Sequence, residues 1–200
     1  MTLSKNKLRQ SLIKKRKILS TEQVDLAANA LCHTLHSNAA LKKILSNAKT
    51  VLSYCAFNNE ISPYLLTQQL SAEVYLPKIT GYSNSKMEFF SSQEDQVINK
   101  YGITEPKGNS TPMPINEFDV LLIPLVGFDG QGNRLGMGAG FYDRAIGTSC
   151  KLTKMPPPLL LGLAYDFQQK KTLIPEVWDI PLDVILTDQK IVDPKNQLTM

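Results

Sequence analysis

The sequence predicts an α/β fold with a largely parallel sheet, on three observations. Segments with strand character alternate with segments of helical periodicity. The strongest apolar strand, Asp119–Phe128, runs into a glycine-rich turn that opens a helix. No internal repeat, linker or change of composition divides the 200 residues, so one domain over 1–200 is expected.

In chain order, residues 4–18 read as a helix, with Leu8, Leu12 and Leu19 near helical spacing and basic residues between them. Ser20-Thr21-Glu22-Gln23 has the form of a capping box. It opens a second helix whose apolar stripe is Val24, Ala27, Ala28, Leu31 and Leu35. Residues 47–50 punctuate, and Val51–Phe57 reads as a strand. Ser62-Pro63 suits a helix start, since serine caps and proline fits the first turn; that helix is expected from Pro63 to Leu70. Val74–Pro77 and Glu88–Phe90 follow as strands. The polar stretch 91–117 is expected to cross the surface, with a short helix near Glu94–Lys100. After Asp119–Phe128 come the loop Asp129–Gly140 and a helical turn from Phe141. Pro156–Pro158 leads into the strand Leu159–Ala164, and Asp183–Thr187 is expected to be the last strand.

Bulk properties exclude several classes. Residues 1–11 lack the apolar segment of a secretory signal. The longest apolar runs, Val120–Phe128 and Pro158–Tyr165, are too short to span a bilayer. Cys32, Cys55 and Cys150 show neither a disulfide framework nor zinc-ligand spacing, which fits a reducing, cytoplasmic setting. The net charge of +4 is compatible with a phosphate-bearing ligand without requiring nucleic acid.

The richest chemistry lies in Gly132–Arg144. Gly136, Gly138 and Gly140 at alternate positions let backbone approach a ligand closely. The helix that follows offers N–H groups to an anion. Arg134 has a fork of donors suited to phosphate. Asp143 is a hard carboxylate of the kind that magnesium takes alongside phosphate oxygens. The plain alternative is a tight turn with a surface arginine. No P-loop string occurs, and Phe141 occupies the last glycine position of a dinucleotide fingerprint. Lys5, Arg9 and Arg16 can share one helix face. Such a face is ordinarily solvated, but folded over the glycine loop it could hold phosphates. Asp179 could complete a metal site opposite Asp143, although an aspartate there is most often a turn former. Glu60 follows a strand, where ligands of α/β sheets gather. His33 and His36 lack a third metal ligand and read as edge residues.

The stretch Phe118–Asp129, with Gly132–Gly136 and Tyr142-Asp143-Arg144, resembles the signature of 5-formyltetrahydrofolate cyclo-ligases. Lys5–Arg9, Tyr75–Lys78, Leu161–Tyr165 and Trp178–Asp183 resemble further elements of that family, so the likeness covers nearly the whole chain. It implies a three-layer α/β/α, Rossmann-like fold with a mainly parallel central sheet. It also implies ATP-dependent conversion of 5-formyltetrahydrofolate to 5,10-methenyltetrahydrofolate, with Mg²⁺ as cofactor. ATP and the folate are then the partners of a cytoplasmic monomer, with no role for nucleic acid or membrane. By position, the resemblance assigns Lys5, Arg9 and Arg134, Leu135, Gly136, Met137, Gly138, Ala139, Gly140, Phe141 and Tyr142 to ATP. Cys55 and Glu60 are assigned to the folate, with Met137–Phe141 lying against it, and Asp143 and Asp179 to the metal. Arg134 is expected to neutralise the moving phosphoryl group, and Tyr142 to orient the formyl oxygen or a phosphate. The chain departs from the family pattern at Cys55, Ala139 and Phe141.

Overall fold

The computed structural model describes residues 4–149 and 157–198. Cys150 and Pro156, which figure in the expectations above, lie outside the described residues. Helices α1 (Lys5–Lys17), α2 (Thr21–His36) and α3 (Ala39–Asn47) lead to strand β1 (Thr50–Leu52). Helix α4 (Tyr64–Thr67) precedes β2 (Glu73–Gly81) and β3 (Lys86–Ser91). Strands β4 (Gln96–Ile98) and β5 (Thr104–Pro106) follow, then β6 (Val120–Pro124), β7 (Gly127–Phe128) and β8 (Arg134–Leu135). Helix α5 (Phe141–Ser149), β9 (Leu159–Ala164), β10 (Val184–Thr187) and β11 (Ile191–Val192) complete the chain.

Seven strands form one sheet in the order β11-β10-β9-β6-β1-β2-β3. The five inner strands run parallel, and β3 and β11 close the edges antiparallel. Alternation along each strand divides the core. Val51, Val120, Leu122, Leu161, Leu163, Val184 and Leu186 face a cluster with α2, α3 and α4. Leu52, Leu121, Ile123, Leu160 and Ile185 face a second cluster with α5 and the 3₁₀ turn Ile115–Glu117. A sheet apolar on both faces must be covered on both, so three layers result. Each of these fully buried aliphatic side chains contributes roughly 1.5–3 kcal/mol. A third, smaller cluster seats Leu12 of α1 on Val126, Leu135 and Leu173.

From β1 the chain moves one way to β2. When it returns, β6 lies on the other side of β1. The order of strands therefore reverses between β1 and β6, and the crevice beyond their carboxyl ends is where α/β sheets bind ligands. The segments that emerge there are 53–60 after β1 and 125–143 after β6.

Several elements differ from the sequence expectation. Residues 94–100 form no helix. Gln96–Ile98 pairs antiparallel with Thr104–Pro106, because Asn99 Oδ1 accepts from the amides of Tyr101 and Ile103 and Gly102 takes φ +79°. The 91–117 stretch is tied together by Glu94, whose carboxylate accepts from the amides of Gly108, Asn109 and Ser110. The long strand from Asp119 leaves the sheet after Pro124, which has no N–H for the ladder, and Gly127-Phe128 pairs instead with Arg134-Leu135. Helix α3 was not expected; Asn38 caps it by accepting from Leu41 N at 2.8 Å, and Leu41 and Leu45 bury one face. Strand β1 is shorter than expected, and β11 follows β10.

Candidate active site

The glycine loop is shaped by what surrounds it. Gly132 has φ +84°, and a Cβ there would stand 2.6 Å from the carbonyl oxygen of Leu182. The hairpin turn before it is organised by Asp129, 1% exposed. Asp129 Oδ1 accepts from the amides of Gln131 (2.9 Å) and Asn133 (3.1 Å), and Oδ2 from Asn133 Nδ2 (3.0 Å) and Leu173 N (2.8 Å). One carboxylate thus joins the hairpin to the segment that carries residues 174–183. The amide of Leu182 adds a second tie, donating to Gly132 O at 2.9 Å.

Helix α1 lies over the loop. Arg9 Nε donates to Gly136 O at 2.7 Å, and its guanidinium would be 3.5 Å from a Cβ at Gly138, where φ is +103°. Lys5 Nζ is 2.8 Å from Glu176 Oε1 and 3.6 Å from Asp179 Oδ2. Arg134, only 6% exposed in its side chain, donates to Asp143 Oδ1 and to the carbonyl of Ile180. Asp143 Oδ1 also accepts from Ile180 N at 3.2 Å. Asp143 and Asp179 therefore flank one backbone position, each held by a cation from α1 or the loop. Met137, Gly138 and Ala139 are exposed, and Gly140 and Phe141 half-buried, at the amino end of α5. Exposed backbone N–H groups at a helix start make a seat for an anion.

The other half of the site follows β1. Glu60 is 14% exposed in its side chain and accepts from Phe57 N at 3.2 Å. Burial pushes its carboxyl above the ordinary range, and the nearby Arg16 charge only partly offsets this. Cys55 is half-buried, with its thiol raised by burial. It lines a cavity of about 900 Å³ beside α4 and β2, and is the one predicted site residue to do so. Tyr142 spans the two halves. Its hydroxyl is held well above the ordinary phenol range, first by burial and then by the Glu60 charge. The Arg134 charge pulls the other way, and Cys55 adds a small upward push. Tyr142 thus feels charges from both sides of the crevice.

Of the basic face, Lys5 and Arg9 reach the glycine-loop side, but Arg16 is 1% exposed and turns toward Glu60 instead. Spacing alone put the three on one face without showing that the helix reaches both sides of the crevice. An aromatic corner was also missed. Tyr82 and Tyr101 stack edge to face at 5.3 Å, Lys100 Nζ sits 3.6 Å over the Tyr82 ring, and Phe57 lies against Gly102. These residues come from three separate segments, so no local spacing marks them.

Among the described residues no three of His, Cys, Asp or Glu gather as a protein-only metal cage. Two hard carboxylates near the amino end of α5 fit a different arrangement, a divalent cation shared between protein and phosphate oxygens. The donor set is compatible with that.

The sequence model of the 5-formyltetrahydrofolate cyclo-ligase family matches residues 1–188. The chain is 41% identical over 145 residues to the 5-formyltetrahydrofolate cyclo-ligase of Haemophilus influenzae, covering 70% of this chain and 75% of the relative. It is 37% identical over 150 residues to that of Escherichia coli, covering 72% and 80%. Among solved structures, the 5,10-methenyltetrahydrofolate synthetase of Aquifex aeolicus superimposes with a TM-score of 0.77 at 29% identity, over 96% of this chain and 94% of that one. The corresponding Mycoplasma pneumoniae enzyme gives 0.69 at 26% identity, over 94% and 100%. With a three-layer fold shared by both neighbours and a profile match across the sheet and its crevice, this chain belongs to the 5-formyltetrahydrofolate cyclo-ligase family.

Proposed function

We propose that this chain closes 5-formyltetrahydrofolate to 5,10-methenyltetrahydrofolate at the expense of ATP, in the crevice between the ends of β1 and β6. The observation that carries this reading is the glycine loop before α5, where Arg9 from α1 donates to Gly136 O and Arg134 engages Asp143. The formyl oxygen of the folate attacks the terminal phosphorus of ATP, and ADP leaves. N10 then attacks the formyl carbon and loses its proton. Phosphate departs with the former formyl oxygen, and the methenyl bridge remains. Phosphoryl transfer of this kind needs positioning and charge neutralisation more than a protein nucleophile.

In this reading Lys5, Arg9 and the stretch from Arg134 to Tyr142 hold ATP, with its phosphates at the amino end of α5. Glu60 and Cys55 meet the folate, and Met137–Phe141 lies between the two substrates. The Tyr82–Tyr101 pair with Lys100 stands next to Phe57, where an aromatic ring and an anionic tail would both be received. Asp143 and Asp179 would hold Mg²⁺, which supplies charge neutralisation on the phosphates. Arg134 exchanges its contact with Asp143 for the phosphoryl oxygens, and Tyr142 orients the formyl oxygen. The unpaired thiols of Cys32 and Cys55 support a reducing, cytoplasmic setting.

The test follows the near-ultraviolet absorbance of the methenyl product in protein mixed with 5-formyltetrahydrofolate, ATP and Mg²⁺. A rise that needs both ATP and metal is expected. Arg134→Ala should lower kcat by at least 100-fold, on the order of one lost transition-state contact, with a smaller change in folate affinity. No absorbance change with folded protein sinks the named substrate, and normal turnover by Arg134→Ala sinks that residue's role.

A further inference from the structure

Arg16, unlike Lys5 and Arg9 of the same helix, turns away from the glycine loop. It stands eleven residues beyond Lys5, or roughly 16 Å along the helix axis. Its Nε donates to the carbonyl of Asn58 at 2.9 Å, and its Nη2 lies 3.5 Å from Glu60 Oε1. Both Nη1 and Nη2 are buried without a hydrogen-bond partner among the described residues. A good charge-assisted hydrogen bond is about 2.7–2.9 Å, so the contact with Glu60 is loose and most of the donor fork is unused.

The turn opposite is held rigidly. Asn58 and Asn59 both take left-handed φ, 50° and 55°. Asn59 Nδ2 donates to the carbonyls of Arg16 (3.2 Å) and Leu19 (3.0 Å), and its own carbonyl accepts from Tyr165 Oη at 3.0 Å. The end of α1 thus clamps the segment that carries Glu60. A buried, under-used guanidinium is costly to desolvate. An aliphatic side chain of the same volume would fill this place without that cost, so packing does not explain the arginine.

We propose that Arg16 is a positioning residue for the folate, acting through the Glu60 carboxylate, which it aims into the crevice to accept N–H donors of the pterin ring. This rests on the reading that Glu60 meets the folate. The groups acting on Glu60 are Arg16 from α1, the hydroxyls of Tyr54 after β1, Tyr142 on α5 and Tyr165 after β9, and the amide of Phe57. Arg16 supplies the positive charge of this set. Burial already pushes the carboxyl upward; without Arg16 it would protonate at higher pH still and cease to act as an acceptor.

The experiment uses the full chain with Arg16→Met, Arg16→Lys, Glu60→Gln and the double variant Arg16→Met/Glu60→Gln. The readouts are KM for folate, KM for ATP, and the pH profile of kcat/KM for folate, with thermal unfolding as a check on folding. Arg16→Met should raise folate KM at least tenfold, change ATP KM less than twofold, and move the acidic limb of the profile to higher pH. Arg16→Lys keeps the charge without the fork. It should hold the limb near its wild-type position with a severalfold rise in folate KM. The double variant should be no worse than Glu60→Gln alone.

A wild-type folate KM in Arg16→Lys, or effects of Arg16→Met and Glu60→Gln that multiply, overturns the proposal, as does an ATP KM that rises as much as that for folate. If Arg16→Met fails to fold, Arg16→Lys decides. If wild-type protein neither binds nor converts 5-formyltetrahydrofolate, the functional reading falls and this proposal with it. An active wild type indifferent to Arg16 removes this proposal alone.

Discussion

Asp129 should be worth far more to this protein than a surface aspartate. Replacing it with alanine leaves four donors without their acceptor. The amide of Leu173 is buried with it and would lose the most, about 2 kcal/mol. The other three are only part-buried, so water recovers much of each loss, and about 0.7 kcal/mol apiece is reasonable. The total is about 4 kcal/mol, which for a chain of this size lowers Tm by about 8–16 °C. Asp129→Asn should cost less, because one oxygen still accepts two of the four donors while its amide group points a donor at the other two. Calorimetry or circular dichroism measures the stability effect. The functional effect is distinct: the carboxylate joins the glycine-loop hairpin to the segment with Glu176 and Asp179, so ATP KM should rise more than folate KM in any variant that still folds. A Tm within 2 °C of wild type would show that Asp129 is not the tie its geometry describes.

Other consequences can be read in the same way. Gly132→Ala forces a Cβ toward the Leu182 carbonyl at positive φ, and should destabilise by about 1–3 kcal/mol in urea titration; an unchanged midpoint would contradict the φ. Trp178 is the chain's one tryptophan, 67% exposed and next to Asp179, which Lys5 engages. Its emission should change when ATP and Mg²⁺ bind, and that response should weaken in Lys5→Ala. The Tyr165 hydroxyl is pushed up to about 12 by burial; the Arg16 charge pulls it down, and the Asp188 and Glu60 charges add smaller upward pushes. The folded state therefore keeps a proton that the unfolded chain releases near pH 10, and stability falls as pH rises from about 10 to 12. Tyr165→Phe should flatten that part of the stability profile.

Much of the fold was legible because its signals are local. The capping box at Ser20–Gln23, the apolar run at Leu159 and the helix that opens at Phe141 each announce themselves within a few residues and form as expected, and the run at Val120 does so as far as Pro124. What was illegible depends on partners distant in sequence. Nothing near Gln96 says that Pro106 will pair with it rather than let a helix form. Val51–Phe57 has strand residues throughout, but after Ser53 it turns into the loop that Tyr54 anchors through the Ile61 carbonyl. In the site, Arg134 and Asp143 lie nine residues apart within one glycine-rich stretch, and the structure pairs them with each other. Arg16 and Glu60 lie 44 apart in sequence, and the periodicity of a helix gives only the direction of a side chain, not what waits there.

Helix α1 touches both halves of the crevice, through Lys5 and Arg9 at one end and Arg16 at the other. Among the described residues, the apolar anchor between these contacts is the Leu12 cluster. On the proposed assignment the two substrates therefore share one element. Whatever order one substrate adds to the helix, the other need not supply. Each ligand should then tighten the other by an equal factor, giving synergy between ATP and folate even where the two molecules never touch.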